Sequence, residues 1–249
     1  MSLERLVSAM FDFTQYKDLV FDNQNIDDDI KSQRKLLADF LDWLKQEEGD
    51  DYQASQEAFA ELRQLKVETL NEFGGIFFPD DIEIPPRFND YSIRMFPGRY
   101  LYPIKSTQGE IYGWTGYDAD QPDNKYIDLK CKGFDAPMFI GMQNMPEYYK
   151  NNKTIFIVEG VVCQLFMLEN GFQVLSSMGS YLTQYQLHFV RRLENRIVVI
   201  ADNDRAGDNY VAQVKRYTKA RTYQFKYAKD IDDSRKIDLN KTLNILKTL

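Results

Sequence analysis

A chain of 249 residues, 43% hydrophobic and 28% charged, has ordinary globular composition and enough length for one large domain or two modest ones. Two cysteines, Cys131 and Cys163, exclude a disulfide framework and a zinc ribbon built from this chain alone, and no apolar run approaches the roughly 20 residues of a membrane helix. The net charge of −7 works against a broad grip on DNA, but it is unevenly spread. Asp22, Asp27–Asp29, Glu47, Glu48, Asp50 and Asp51 load the N-terminal third with acid, whereas the last forty residues are rich in Lys and Arg, from Lys215 to Lys247. Such asymmetry suggests either an anionic partner for the C-terminal part or simply a solvated helix face, and charge alone does not choose between them. The start, with Glu4 and Arg5 and no long apolar stretch, does not read as a secretory leader, and a reducing, cytoplasmic setting fits.

From about Asp28 to Leu65 the periodicity predicts helix: Leu36, Leu37, Phe40, Leu41 and Leu44 recur at helical spacing, and Phe59, Leu62 and Leu65 resume it after an acidic break at Glu47–Asp51. The period changes after Gly74-Gly75. Arg99–Lys105 and Glu110–Tyr117 read as strands joined by a hairpin turn at Ser106–Gly109. From Asn152 onward strands and helices alternate. Thr154–Val158 is a continuous apolar run, as in a strand covered on both faces. Helix is predicted over Val161–Leu168, strand over Phe172–Ser176, and helix over Thr183–Arg192 with Thr183 as N-cap. A second buried strand follows at Arg196–Ala201. Next comes an amphipathic helix, Ala206–Tyr217, with Tyr210, Val211, Val214 and Tyr217 on one side; Thr222–Tyr227 and Leu239–Leu249 complete the alternation. This order implies a small, mostly parallel sheet wrapped by helices.

In such a sheet ligands gather beyond the carboxyl ends of the strands. Glu159 directly follows the first buried strand, and Gly160 lets the chain turn into the next helix. Asp202 and Asp204 follow the second, and side chains two apart in extended backbone point the same way. Gly207 gives the backbone room to start a helix near a bound phosphate. Two carboxylates about 4 Å apart repel by roughly 4 kcal/mol at an effective dielectric near 20. A divalent cation removes that penalty, and oxygen-only ligands favour Mg²⁺ or Mn²⁺. An isolated Asp-x-Asp is most simply a polar loop with an N-cap; its pairing with Glu-Gly after a preceding buried strand carries the functional reading.

Ile157-Val158-Glu159-Gly160, followed some forty residues later by Asp202-Asn203-Asp204-Arg205-Ala206-Gly207, closely resembles the TOPRIM motifs of bacterial and phage primases. Gly171–Val174 and Ser177–Ser180 resemble the small-residue segment between those motifs. Upstream, Glu68–Phe73 with Pro79 resembles the entry to the primase polymerising domain. Arg99–Lys105, Gly113–Gly116 and Asn124–Ile127 resemble its N-terminal subdomain. The resemblance covers roughly residues 65 to 249. It implies an α/β TOPRIM fold preceded by an α+β primase-like subdomain (67–151) and a helical segment (1–66), with TOPRIM over 152–249.

By the same resemblance Glu159, Asp202 and Asp204 are the acid site, and Asp238, in Asp238-Leu239-Asn240, adds a metal ligand; Asp230, Asp232 and Asp233 offer a competing alignment. Arg99, Lys125, Arg205, Gly160 and Gly207 fall on the side that binds nucleotide and nucleic acid. Two positions depart from the family: Cys163 stands where an Asp is usual, and Tyr117 where an Arg is usual. The implied activity is primer synthesis on single-stranded DNA from nucleoside triphosphates with Mg²⁺ or Mn²⁺. A replicative helicase or a separate zinc-module protein would act in trans, with no membrane involved. The alternatives are a TOPRIM nuclease and a non-catalytic nucleic-acid-binding or regulatory relative. His188, Trp114, Tyr148 and Tyr149 read first as packing residues, and Arg191, Arg192 and Arg196 as either a phosphate patch or a solvated helix end.

Overall fold

The computed structural model describes residues 28–73, 75–80, 83–88, 93–118, 126–130 and 139–249. The chain divides into two compact units, one up to Asp135 and one from Ala136.

In the first unit a single helix, α1 (Asp28–Arg63), runs straight through the acidic segment where a break was expected. Glu is a good helix former, and opposite or polar partners four residues apart, Lys35 with Asp39 and Gln53 with Glu57, support the exposed face. Charge alone does not stop a helix. A short α2 (Val67–Phe73) precedes an antiparallel sheet of β1 (Ile76–Phe78), β2 (Arg99–Lys105), β3 (Ile111–Tyr117) and β4 (Tyr126–Lys130), paired in that order. The β2–β3 hairpin turns as expected. Gly109, at φ +84°, takes the left-handed conformation and donates its N–H to the Ser106 carbonyl at 3.0 Å.

Leu37, Phe40, Leu41 and Leu44, the predicted apolar stripe, join Phe78, Phe88, Phe96 and Trp114 in one core. Phe40 meets Phe78 and Phe88 edge-on at 5.3 and 5.6 Å between ring centroids. Later in α1, Phe59 stacks on Tyr100 at 4.1 Å, Gln56 Nε2 donates to the Gly75 carbonyl at 2.7 Å, and Arg63 lies over the Tyr117 ring and hydrogen-bonds its hydroxyl.

The second unit is a parallel sheet in the order β6-β5-β7-β8: β5 (Ile155–Val158), β6 (Gln173–Ser176), β7 (Ile197–Ile200) and β8 (Arg221–Tyr223). Every residue of β5, β6 and β7 is buried, which explains the unbroken apolar character of β5 and β7; β6 buries Gln173 and Ser176 at its ends. Helices α3 (Met145–Asn151), α4 (Val161–Glu169), α5 (Gln184–Arg192) and α6 (Arg205–Tyr217) alternate with the strands. Thr183 caps α5 in a full capping box with Gln186. Helix α6 buries Gly207, Tyr210, Gln213 and Val214, whereas Tyr217, expected on that face, is exposed. Like α3, a further helix was not expected, α7 (Ile231–Ile237), ahead of α8 (Leu239–Thr248). Only seven residues long, it shows no sustained apolar period; its signal is the Asp230 cap, which accepts the Asp233 N–H at 2.8 Å.

Candidate functional site

Parallel pairing of β5 with β7 places Val158 opposite Ile200, so the residues that follow leave the sheet side by side. Glu159 and Asp202 meet there: Glu159 Oε1 accepts the Asp202 N–H at 3.0 Å. Asp204 sits in extended backbone as N-cap of α6, its Oδ1 accepting the Gly207 N–H at 3.0 Å and its Oδ2 lying 3.9 Å from Lys229 Nζ. Gly207 is dictated by the fold: a Cβ there would stand 1.9 Å from the Asp202 carbonyl oxygen. The room expected for a phosphate is thus taken, in part, by the chain's own loop.

The neighbouring strand end contributes too. Asn203 donates its N–H to the Lys229 carbonyl at 2.6 Å, and Gln224 Nε2 donates to the Asp202 carbonyl at 2.9 Å, tying the segment after β8 to the loop after β7. This brings Asp230 into the acid group. On the other side Ser176 Oγ donates to the Glu159 carbonyl at 2.9 Å, so the small-residue turn after β6 fixes the glutamate's backbone.

The electrostatics match this crowding. Burial first, then the charges of Glu159 and Asp230, push Asp202 up to about 7, only partly offset by Lys229. Burial likewise raises Glu159, with Asp204 and Asp230 adding to it against the Asp202 N–H and Lys229. Asp230 is raised by burial and by Asp233 and Asp232, against the Asp233 N–H and Lys229. Cys163, in α4, is buried; burial pushes its thiol well up, with Asp230 and Asp202 reinforcing the shift. A thiol held neutral in this way is a poor nucleophile.

The donor set is all oxygen, carboxylates that a hard divalent cation would relieve of mutual repulsion, and in chemistry it fits Mg²⁺ or Mn²⁺. Among the described residues no three His, Cys, Asp or Glu side chains are already gathered tightly enough to hold an ion. Binding therefore requires side-chain rotation, and Asp204, engaged by Gly207 and Lys229, has the most contacts to exchange.

Arg205 is the exposed first residue of α6, and Gly160 is the extended N-cap of α4. Asp238 caps α8, accepting the Lys241 N–H at 2.9 Å. Arg99 lies in β2 of the first unit and is 3% exposed. Lys125 falls outside the described residues. Asp230 is the acid that sequence reasoning underweighted; its signal was its place at the end of the loop that leads from a further parallel strand, β8, to the next helix.

Residues 156–243 match the family model described as Toprim-like. The DNA primase of Borreliella burgdorferi is 29% identical over 112 residues, covering 44% of this chain and 21% of that protein. The DNA primase of Listeria monocytogenes is 25% identical over 165 residues, covering 63% of this chain and 24% of that protein. The chain therefore spans only a fifth to a quarter of the length of these relatives. In fold, a structure of the DnaG catalytic core superposes with a TM-score of 0.69 at 17% identity, covering 85% of this chain and 79% of that one. A DnaG primase catalytic domain bound to ssDNA gives 0.68 at 18% identity, covering 86% and 77%. The zinc-binding and RNA polymerase domains of the Aquifex aeolicus primase give 0.69 at 18% identity, covering 95% and 70%.

A parallel sheet with acids at the ends of adjacent strands, matched by the family model, defines the second unit as a Toprim-like domain. Over 44% to 63% of its length the chain is similar in sequence to these bacterial DNA primases, and it has the fold of the DnaG catalytic core.

Proposed function

We propose that this protein performs metal-dependent nucleotidyl transfer on a single-stranded DNA template, joining ribonucleotides into short primers. The observation that carries this reading is the Glu159–Asp202 contact beyond the carboxyl ends of β5 and β7, with the charges of Asp204 and Asp230 near enough to raise both carboxylates. Asp202, Asp204 and Asp230 would hold Mg²⁺ or Mn²⁺, with Asp238 the alternative to Asp230 that motif alignment offers. A bound ion would neutralise developing phosphate charge and lower the pKa of the attacking hydroxyl.

The chain's own groups divide the other tasks. Glu159 Oε1 is engaged by the Asp202 N–H, so the role of ligand or general base falls to its Oε2, on a carboxylate that burial raises above its ordinary range. Lys229, beside Asp204, holds positive charge at the site, and the exposed Arg205 at the start of α6 offers a phosphate contact where the helix dipole favours anions. The family resemblance assigns nucleotide or template binding to Lys125 and to Arg99 as well, and Arg99, buried in β2, would have to leave its present surroundings to serve. Among the described residues no helix is long and apolar enough to cross a membrane, and a cytoplasmic enzyme directed by a helicase or a separate zinc-module protein accords with this reading.

One observation favours a second reading. Cys163, buried against Asp202 and Asp230 where the resemblance expects an Asp, removes a carboxylate from the site, as a binding or regulatory relative could tolerate. Incubation with single-stranded DNA, labelled ribonucleotides and Mg²⁺ or Mn²⁺ separates the readings. Extension supports the polymerase, cleavage without extension supports a nuclease, and neither product, with DNA still bound, supports the regulatory relative.

A further inference from the structure

The second unit holds 16 Lys and Arg against 11 Asp and Glu, a net of +5 in a chain whose total is −7. That surplus is segregated. Because the four strands are parallel, β5, β7 and β8 all begin at one pole, about 13 Å of strand from the carboxylates. Lys153, Arg196 and Arg221 stand at those three strand starts, Arg191 and Arg192 end α5, and Lys219 lies between α6 and β8. Hydrogen bonds join several of them. Arg196 donates to the carbonyls of Lys153 at 2.9 Å and Tyr148 at 2.7 Å, and Glu194, beside Arg196, accepts the Lys219 N–H at 2.9 Å. All six but Arg196 are exposed.

Helix dipoles account for some of this, since cations suit helix C-termini. They do not account for Lys153, Lys219 and Arg221, which lie outside any helix. Four of the six are arginines, whose planar fork matches phosphate oxygens. Aromatics are interleaved with the cations: Tyr149 lies 5.8 Å from the Arg196 guanidinium, and Tyr217, 48% exposed, lies under Arg216 at 5.3 Å. Cations for backbone phosphates beside open aromatic rings for bases are what a single strand requires.

We propose that this amino pole of the parallel sheet is a second contact for single-stranded nucleic acid, separate from the carboxylate pole and independent of catalysis. It goes beyond the nucleotidyl-transfer reading and needs neither metal nor triphosphate.

The test is fluorescence anisotropy of a labelled oligothymidylate with the full chain in EDTA, titrated with salt. Six phosphate contacts correspond to a log–log salt slope of about −4 for a single strand. The variant Arg191→Gln/Arg192→Gln/Lys219→Gln/Arg221→Gln leaves the internal contacts of Arg196 intact. It should flatten the slope by about 3 and weaken low-salt binding at least about tenfold, with an unchanged melting temperature. Tyr217→Ala should weaken binding about fivefold or more without altering the slope. Unchanged affinity and slope in the quadruple variant overturn the proposal. So does equal competition by polyaspartate at matched charge, which would assign the pole to an acidic protein instead. Because metal is absent, a protein that binds here but makes no primers loses the proposed function and keeps this one.

Discussion

The two units solve the same problem, a four-stranded sheet that must bury a face, with opposite materials. The first is antiparallel, joins β2 to β3 by a tight hairpin, and fills its core with Phe40, Trp43, Phe78, Phe88, Phe96 and Trp114. The second is parallel, crosses over through helices, and buries, in β5 and β7, strands that are all Ile and Val but for Phe156. Charge divides the same way. Residues up to Asp135 hold 15 Lys and Arg against 27 Asp and Glu, while the unit from Ala136 is net positive. The chemically telling acids therefore lie in the basic unit, where a carboxylate is scarce enough to need a reason. Placement at adjacent strand ends matters more than acid count.

The largest expected effect separates the acids by role. Asp202→Ala should take primer synthesis below detection, with circular dichroism and DNA binding retained, because phosphate contacts elsewhere supply affinity. Glu159→Gln should cost about 10²–10⁴-fold if the residue transfers a proton. Full activity in both variants would show that the site lies elsewhere.

Core substitutions sharpen the contrast in materials. Trp114→Ala, at a site 1% exposed, should destabilise its unit by about 3–5 kcal/mol, and Ile157→Val in β5 by only about 0.5–1.5 kcal/mol, read from denaturant midpoints. Equal losses would mean that the aromatic core is not what holds the first unit together.

Cys163→Asp adds a fifth acid to the group, near Asp202 and Asp230. In EDTA it should lower the melting temperature by several degrees, since like charges in a half-buried site cost about a few kcal/mol. Millimolar Mn²⁺ should restore it by binding the folded state alone. A melting temperature indifferent to Mn²⁺ would argue against a cation between these residues.

The smallest effect isolates the double duty of Asp204, which caps α6 through the Gly207 N–H. Asp204→Asn should keep the cap to within a few tenths of a kcal/mol, and Asp204→Ala should lose about 1 kcal/mol. Both should be inactive, because neither supplies a carboxylate; an active Asp204→Asn would reduce the residue to a helix cap.

Much of this was legible in the residues. Buried parallel strands announce themselves as apolar runs, so β5 and β7 and the acids after them could be placed to within a residue. The hairpin was marked by Gly109 and the start of α5 by Thr183. Other features depend on distant chain. The acidic stretch of α1 looked like a break because local charge says nothing of the core that Phe40 and Phe59 reach on either side. Tyr217 has the period of a buried residue, but α6 ends there and leaves it open. Asp230 and Asp238 both follow plausible patterns. The ties from Asn203 to Lys229 and from Gln224 to Asp202, invisible in sequence, bring Asp230 toward the acids.

The central claim is that the carboxyl ends of β5 and β7 form a divalent-cation site. A crystal soaked in millimolar Mn²⁺ and measured at the manganese edge tests it directly. The account predicts an anomalous peak within coordination distance of Asp202 and Asp204, with Asp204 turned away from the Gly207 N–H; a map without a peak there, in a lattice that leaves the site open, would contradict it.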